Sequence, residues 1–170
     1  MNITGPIKFG NNEYLLSWSS HPAANFYKQE YLIKGDNPDK FQQMLMIDFV
    51  ITANKVKDVI TAKVTELEEL KKKNPAVQYE VFENNEEFML DFLVTQNSAD
   101  GKKVEIVERN VYRYKYIREK SGKSGVLMFG VSTRSYGNDI TTFFEKLKGD
   151  RFDVINALGQ FQIPQVAVLE

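Results

Sequence analysis

Residues 104–136, VEIVERNVYRYKYIREKSGKSGVLMFGVSTRSY, constrain this chain more than any other stretch. They read as two long strands rich in β-branched and aromatic residues, joined by the polar loop 119–124, EKSGKS. A hairpin of that length needs further strands or a helix to cover its apolar face. If Arg118 pairs with Gly125, then Tyr112, Tyr114 and Tyr116 share a face with Leu127, Phe129 and Val131, because side chains alternate along each strand. The same register sets Arg109 opposite Arg134, Val111 opposite Ser132 and Tyr136 opposite Val107. Like charges directly opposite are unfavourable unless something negative neutralises them.

The preceding residues supply an acid. Strands 77–83 and 86–96 flank Asn84-Asn85, a dipeptide that tolerates the positive φ of a tight turn. That turn places Val77, Tyr79 and Val81 on one face with Phe88, Leu90, Phe92 and Val94, and a further hairpin at 97–103 brings Asp91 near Arg109. Four strands, 77–136, then form a meander whose second face mixes Asp91, Arg109, Arg113 and Arg134 with Met89, Leu93, Val107 and Met128. Two readings follow: a structural ion pair between Asp91 and Arg109, or an anion-binding patch. The segment 132–137, STRSYG, closes a strand before a helix, where polar groups line clefts. Arg109, Arg113, Arg134, Tyr136 and Asp91 are therefore the candidate ligand-binding residues.

Earlier in the chain, residues 1–13 read as an irregular lead-in, and alternation over 14–20 and 26–33 predicts two strands. Ser20-His21-Pro22 breaks the first of them. Residues 43–52, QMLMIDFVIT, read as a strand covered on both faces, with Asp48 its one charged residue. Residues 53–73 turn helical: Val56, Val59, Ile60, Val64, Leu67 and Leu70 form one stripe, and Glu68–Lys72 and Glu69–Lys73 are favourable surface pairs. Asn74-Pro75 ends that helix. After the meander, Asn138-Asp139 offers an N-cap for a helix that Gly149 terminates, and Asp150 caps a second. Residues 165–170 read as a tail or an edge strand. The pattern predicts one α+β domain over 1–170, mainly an antiparallel β-sheet, with one long amphipathic helix and C-terminal helices packed on it.

Composition excludes several classes of function. There is no cysteine, so disulfides, thiolate catalysis and cysteine-bound zinc are out. His21 is the one histidine and precedes a proline in an expected loop, a poor base for a catalytic triad. The run Ser121-Gly122-Lys123-Ser124 resembles the end of a phosphate-binding loop, but the required earlier glycine is Ile117, and a strand follows. The 22 basic and 23 acidic residues nearly cancel, which argues against general nucleic-acid binding. No run approaches the roughly 20 apolar residues of a spanning helix. The N-terminus lacks a signal-peptide pattern, so we expect a soluble protein, either cytoplasmic or exported with its signal removed.

The strand QMLMIDFVIT, the amphipathic helix after it, the meander with VYRYKYI and GVLMFGVSTRSY, and the closing Phe143-Phe144/Leu147 helix together resemble the PsbP/Mog1-like family. The resemblance spans residues 14–163 and rests on the order of elements, so no functional residue is carried over. It implies a non-enzymatic adaptor or assembly factor. The leading expectation is a non-catalytic binding or accessory module with no metal or cofactor. Its partner is an unknown protein or a small acidic ligand, and it is a monomer or small homo-oligomer. A second reading is a small-molecule enzyme using Asp48 or Asp91 with an arginine and a tyrosine, which requires a largely apolar pocket. A third is a structural subunit, which requires a large exposed apolar surface or a stable oligomer.

Overall fold

The computed structural model describes residues 1–168. Its eight strands are β1 (Ile7–Phe9), β2 (Asn12–Ala23), β3 (Phe26–Ile33), β4 (Gln43–Ile51), β5 (Gln78–Asn84), β6 (Glu87–Asn97), β7 (Val104–Arg118) and β8 (Ser124–Tyr136). Helix α1 (Val56–Lys73) joins β4 to β5, and α2 (Ile140–Gln160) follows β8. The strands form one antiparallel sheet in the order β1-β2-β3-β4-β8-β7-β6-β5. Two meanders thus meet at β4 and β8, and the α1 connection carries the chain to the far edge. This is the expected α+β class.

The helices take opposite faces. Side chains alternate, so Leu45, Ile47 and Phe49 of β4 lie with Leu127, Phe129 and Val131 of β8 on the α2 side, in one core with Ile155 and Leu158. On the other side, Val56, Ile60 and Leu67 of α1 pack with Phe88, Leu90, Phe92, Tyr114 and Val126. Helix α1 lies over β5, β6 and β7. That α1 cluster reaches across to Val126 of β8, and toward β2 and β3 the same face is packed by Leu32, Phe41 and Met44.

Several expectations need correction. The turn of the first hairpin falls at Asn85-Glu86, both at positive φ, one residue later than expected. Because strand pairing slides by two residues, Tyr79 and Val81 still share their face with Leu90 and Phe92. In the central hairpin, Arg118 pairs with Ser124, not Gly125. That slip of one residue flips the faces: Tyr112, Tyr114 and Tyr116 align with Gly130, Met128 and Val126, whereas Phe129 and Leu127 align with Arg113 and Lys115. The cause lies in the loop. The Glu119 carboxylate accepts hydrogen bonds from the Ser121 and Lys123 amides, both 2.9 Å, and from the Ser121 hydroxyl, closing a five-residue turn. The new register also puts Gly130 under Tyr112, where a Cβ would stand 2.5 Å from the ring.

The lead-in is not irregular throughout, since β1 pairs with Asn12–Tyr14 as an edge. Strand β2 runs on through His21 and Pro22, tolerated because β1 covers only its start and a missing N–H there costs no ladder bond. His21 therefore sits in a strand, stacked on Tyr27 at 4.0 Å, rather than in a loop. Helix α1 starts at Val56, not residue 53, where the Asp58 carboxylate accepts the Lys55 amide at 3.1 Å. Its surface pairs are Lys63–Glu66 and Lys72–Glu69. The C-terminal region is one helix rather than two. Its inward positions Phe143, Leu147, Arg151, Val154 and Leu158 keep helical spacing through Gly149, and packing overrides a glycine penalty of about 1 kcal/mol.

The residues after α2 are not a loose tail. Val166 and Val168 are buried in the α2-side core, and the Asn2 amide donates to the Ala167 carbonyl at 2.8 Å. The Val168 amide donates to Glu119 at 3.0 Å. The last two residues of that expectation lie outside the described residues.

Candidate functional site

Asp91 on β6 and Arg109 on β7 lie diagonally across adjacent strands on the α2 side. The Arg109 Nε donates to Asp91 Oδ1 at 2.9 Å and Nη2 donates to Oδ2 at 3.1 Å, a bidentate pair with both residues buried. Nη2 also donates to the Arg151 carbonyl of α2 at 2.7 Å. The Arg151 side chain returns the contact, its Nε donating to Asp91 Oδ2 at 3.1 Å and its Nη2 to Glu80 at 2.6 Å. One buried carboxylate thus holds two guanidinium ions and pins the middle of α2 to the sheet. Such an arrangement is stable because each charge removed from water finds a partner.

This cluster forms one wall of an open cleft of about 660 Å³ between the N-terminal half of α2 and strands β5–β7. Leu93, Val104, Phe144 and Leu147 supply apolar surface, while Arg109, Arg151 and Lys148 supply positive charge. The volume and the mix of lining suit a small-ligand site, for which about 300–1,000 Å³ is usual. The N-terminal half of α2 has no fully buried residue, and Phe144 is exposed.

The remaining sequence-derived residues do not join this cleft. Arg113 donates to Glu87 at 2.7 Å and to the Leu158 and Phe161 carbonyls at 3.1 and 2.9 Å, so it ties down the C-terminal end of α2. Arg134 and Tyr136 lie on the opposite face. Arg134 pairs with Glu108, directly across from it on β7, and its guanidinium stacks 4.2 Å from the Phe41 ring centroid. The Tyr136 hydroxyl donates to the Phe41 carbonyl at 2.7 Å. The expected juxtaposition of Arg109 and Arg134 is therefore wrong: Arg109 faces Thr133 across the ladder. The single-residue register shift separates the five candidates into two groups on two faces.

Sequence reasoning missed Arg151, Lys148 and Glu80. The signal was present for Arg151, which stands four residues after Leu147 and three before Val154 on the inward stripe. Reading Gly149-Asp150 as a helix boundary hid it. Asp48, the one charged residue of β4, is buried, with only 6% of its surface accessible. Burial drives its pKa up to about 6, with Lys28 opposing the shift, Glu30 adding to it and Lys63 opposing it.

Among the described residues, no group of three or more His, Asp or Glu side chains could hold a metal ion, and no helix is long and apolar enough to cross a membrane. No curated protein and no solved structure matches the chain. One protein-family model matches residues 1–163, and the chain belongs to that family over nearly its whole length.

Proposed function

We propose that this protein is a non-catalytic binding module that takes an amphipathic acidic ligand in the cleft beside α2. The observation carrying this reading is the pairing of apolar walls with cations only partly neutralised by Glu80. Arg151 and Glu80 have side chains 39% and 48% accessible, so a ligand carboxylate could replace Glu80 without disturbing the buried Asp91–Arg109 pair. Leu93, Val104, Phe144 and Leu147 would take the apolar body. A binding role fits better than catalysis because both oxygens of Asp91, the buried carboxylate of the cleft, already accept guanidinium hydrogen bonds.

Calorimetric titration with decanoate tests the proposal. Saturable one-to-one binding is expected, and Arg151→Gln should weaken it by at least about fivefold, the equivalent of roughly 1 kcal/mol. 1-Decanol, which has the chain without the charge, should bind more weakly than decanoate. An absence of saturable binding, or equal affinity in Arg151→Gln, would overturn the proposal.

A further inference from the structure

The α1 side of β2, β3, β4 and β8 holds charges of a different kind. The ladder registers arrange its side chains in rows across the strands. One row runs Ser20, Lys28, Asp48, Met128 and Tyr114; the next runs Trp18, Glu30, Met46, Gly130 and Tyr112; a third includes Leu32, Met44 and Ser132. Three buried side-chain atoms make no hydrogen bond among the described residues: Ser20 Oγ, Asp48 Oδ1 and Ser132 Oγ. All three belong to these rows, on this one face. A buried polar atom left without a partner is costly, so three on one face are an observation to explain.

The charges point the same way. The carboxylates acting on Tyr112 and Tyr114 are Asp48, Glu30, Glu66 and Glu108. Glu66 is met by Lys63 and Glu108 by Arg134. Asp48 and Glu30 have no ion-pair partner among the described residues, and the Glu30 charge disfavours ionisation of Asp48. Lys28 and Lys63 act on Asp48 through space without bonding it: the Lys28 ammonium stands 6.0 Å from the Phe26 ring centroid, and Lys63 bonds Glu66. Around the two acids stand two aromatic rings and two thioethers. Trp18 pairs with Glu30 across the ladder and is 47% accessible, Met128 pairs with Asp48, and the Tyr112 hydroxyl donates to Met46 Sδ at 2.9 Å. Carboxylates beside aromatic faces and polarisable sulfur form the chemical surround that an organic cation prefers.

We infer that this half-face is a binding site for a small organic ammonium ion, with Asp48 and Glu30 as its counter-charges and Trp18, Tyr112, Met46 and Met128 receiving its apolar body. The ammonium donates to Asp48 Oδ1, which otherwise has no donor, and relieves the repulsion between the two acids. The site lies across the sheet from the cleft beside α2, so the two proposals stand or fall separately.

Trp18 is the sole tryptophan and so reports on this face alone. Its fluorescence should change saturably as 2-phenylethylammonium is added at mildly alkaline pH. Asp48→Asn keeps the side-chain shape and should weaken that binding by at least about tenfold, and Glu30→Gln by about threefold. 2-Phenylethanol, which keeps the ring without the charge, should give no saturable change. Equal response to the alcohol, unchanged affinity in a folded Asp48→Asn protein, or no saturation at millimolar amine would each overturn the inference. Should Asp48→Asn fail to fold by circular dichroism, Glu30→Gln at its partly exposed position carries the test, and an unchanged affinity there overturns it.

Discussion

The two sides of this sheet treat buried charge in opposite ways. On the α2 side, Asp91, Arg109, Arg151 and Glu80 form a chain in which every charged group has a bonded partner, and Arg113 does the same with Glu87 and the end of α2. On the α1 side, Asp48 of β4 is just as buried, yet among the described residues one of its oxygens has no donor and its neighbour Glu30 has no ion-pair partner. A buried charge whose partners are internal holds the fold together. One whose partner is missing weakens the fold, and keeping it calls for a different reason.

The contrast can be broken experimentally, most severely at Asp91. Asp91→Ala leaves Arg109 buried with no carboxylate and should cost about 4 kcal/mol in denaturant unfolding. The double variant Asp91→Leu with Arg109→Met removes both charges and should recover much of that loss. If the double variant were as unstable as the single, the pair would owe its role to something other than mutual neutralisation.

Glu119 comes next. Burial by itself would raise its pKa, but hydrogen bonds from the Ser121 hydroxyl and from the Ser121, Val168 and Lys123 amides outweigh that effect and bring it down to about 2. Glu119→Ala unties the β7–β8 turn from the C-terminal segment and should cost about 3 kcal/mol. A lowered acid pKa stabilises the fold above the ordinary value of 4.5, and that contribution is lost as pH falls toward about 2. The wild type should therefore lose stability on acidification over this window, and Glu119→Ala should lose less of it.

Asp48 gives the smallest effect, of opposite sign. Its pKa is raised, so the native state binds the proton more tightly than the unfolded chain. Its contribution to stability accordingly falls as pH rises from the ordinary 3.8 through about 6. The groups facing it are Lys28, Glu30, Lys63, Tyr112 and Tyr114. Asp48→Asn should stabilise the protein by about 1–2 kcal/mol at neutral pH and flatten that part of the pH profile. A destabilised Asp48→Asn protein would mean the carboxylate has an internal partner after all, and the contrast between the two sides would disappear.

The two hairpins explain which parts of the structure were legible. In 78–97 the turn lies one residue beyond the expected one, yet Tyr79, Val81, Leu90 and Phe92 keep their shared face, because sliding a hairpin by two paired positions preserves alternation. In 104–136 the pairing moved by a single position and every side chain of one strand changed partners from one face to the other. The apolar pattern could not arbitrate, since both faces of β8 are largely buried: Val126 and Met128 serve one helix while Leu127 and Phe129 serve the other. The register was decided by the Glu119 turn and by Gly130 making room for Tyr112, neither of which shows as a periodicity.

Local pattern therefore determined the element types, the α+β class, the α1 stripe, the two faces of β4 and the Asp91–Arg109 proximity. Each follows from spacing along a few neighbouring residues, where hydrophobic period and turn chemistry act directly. Tertiary structure alone decided the continuity of α2 through Gly149, the partner of Arg134, the arrival of Arg151 at Asp91 and the surroundings of Asp48. Those outcomes depend on which strand lies beside which, and on where a helix docks after the chain has crossed the sheet. Burial there outweighs the local signals of glycine, aspartate and proline, and no window of adjacent residues carries that information.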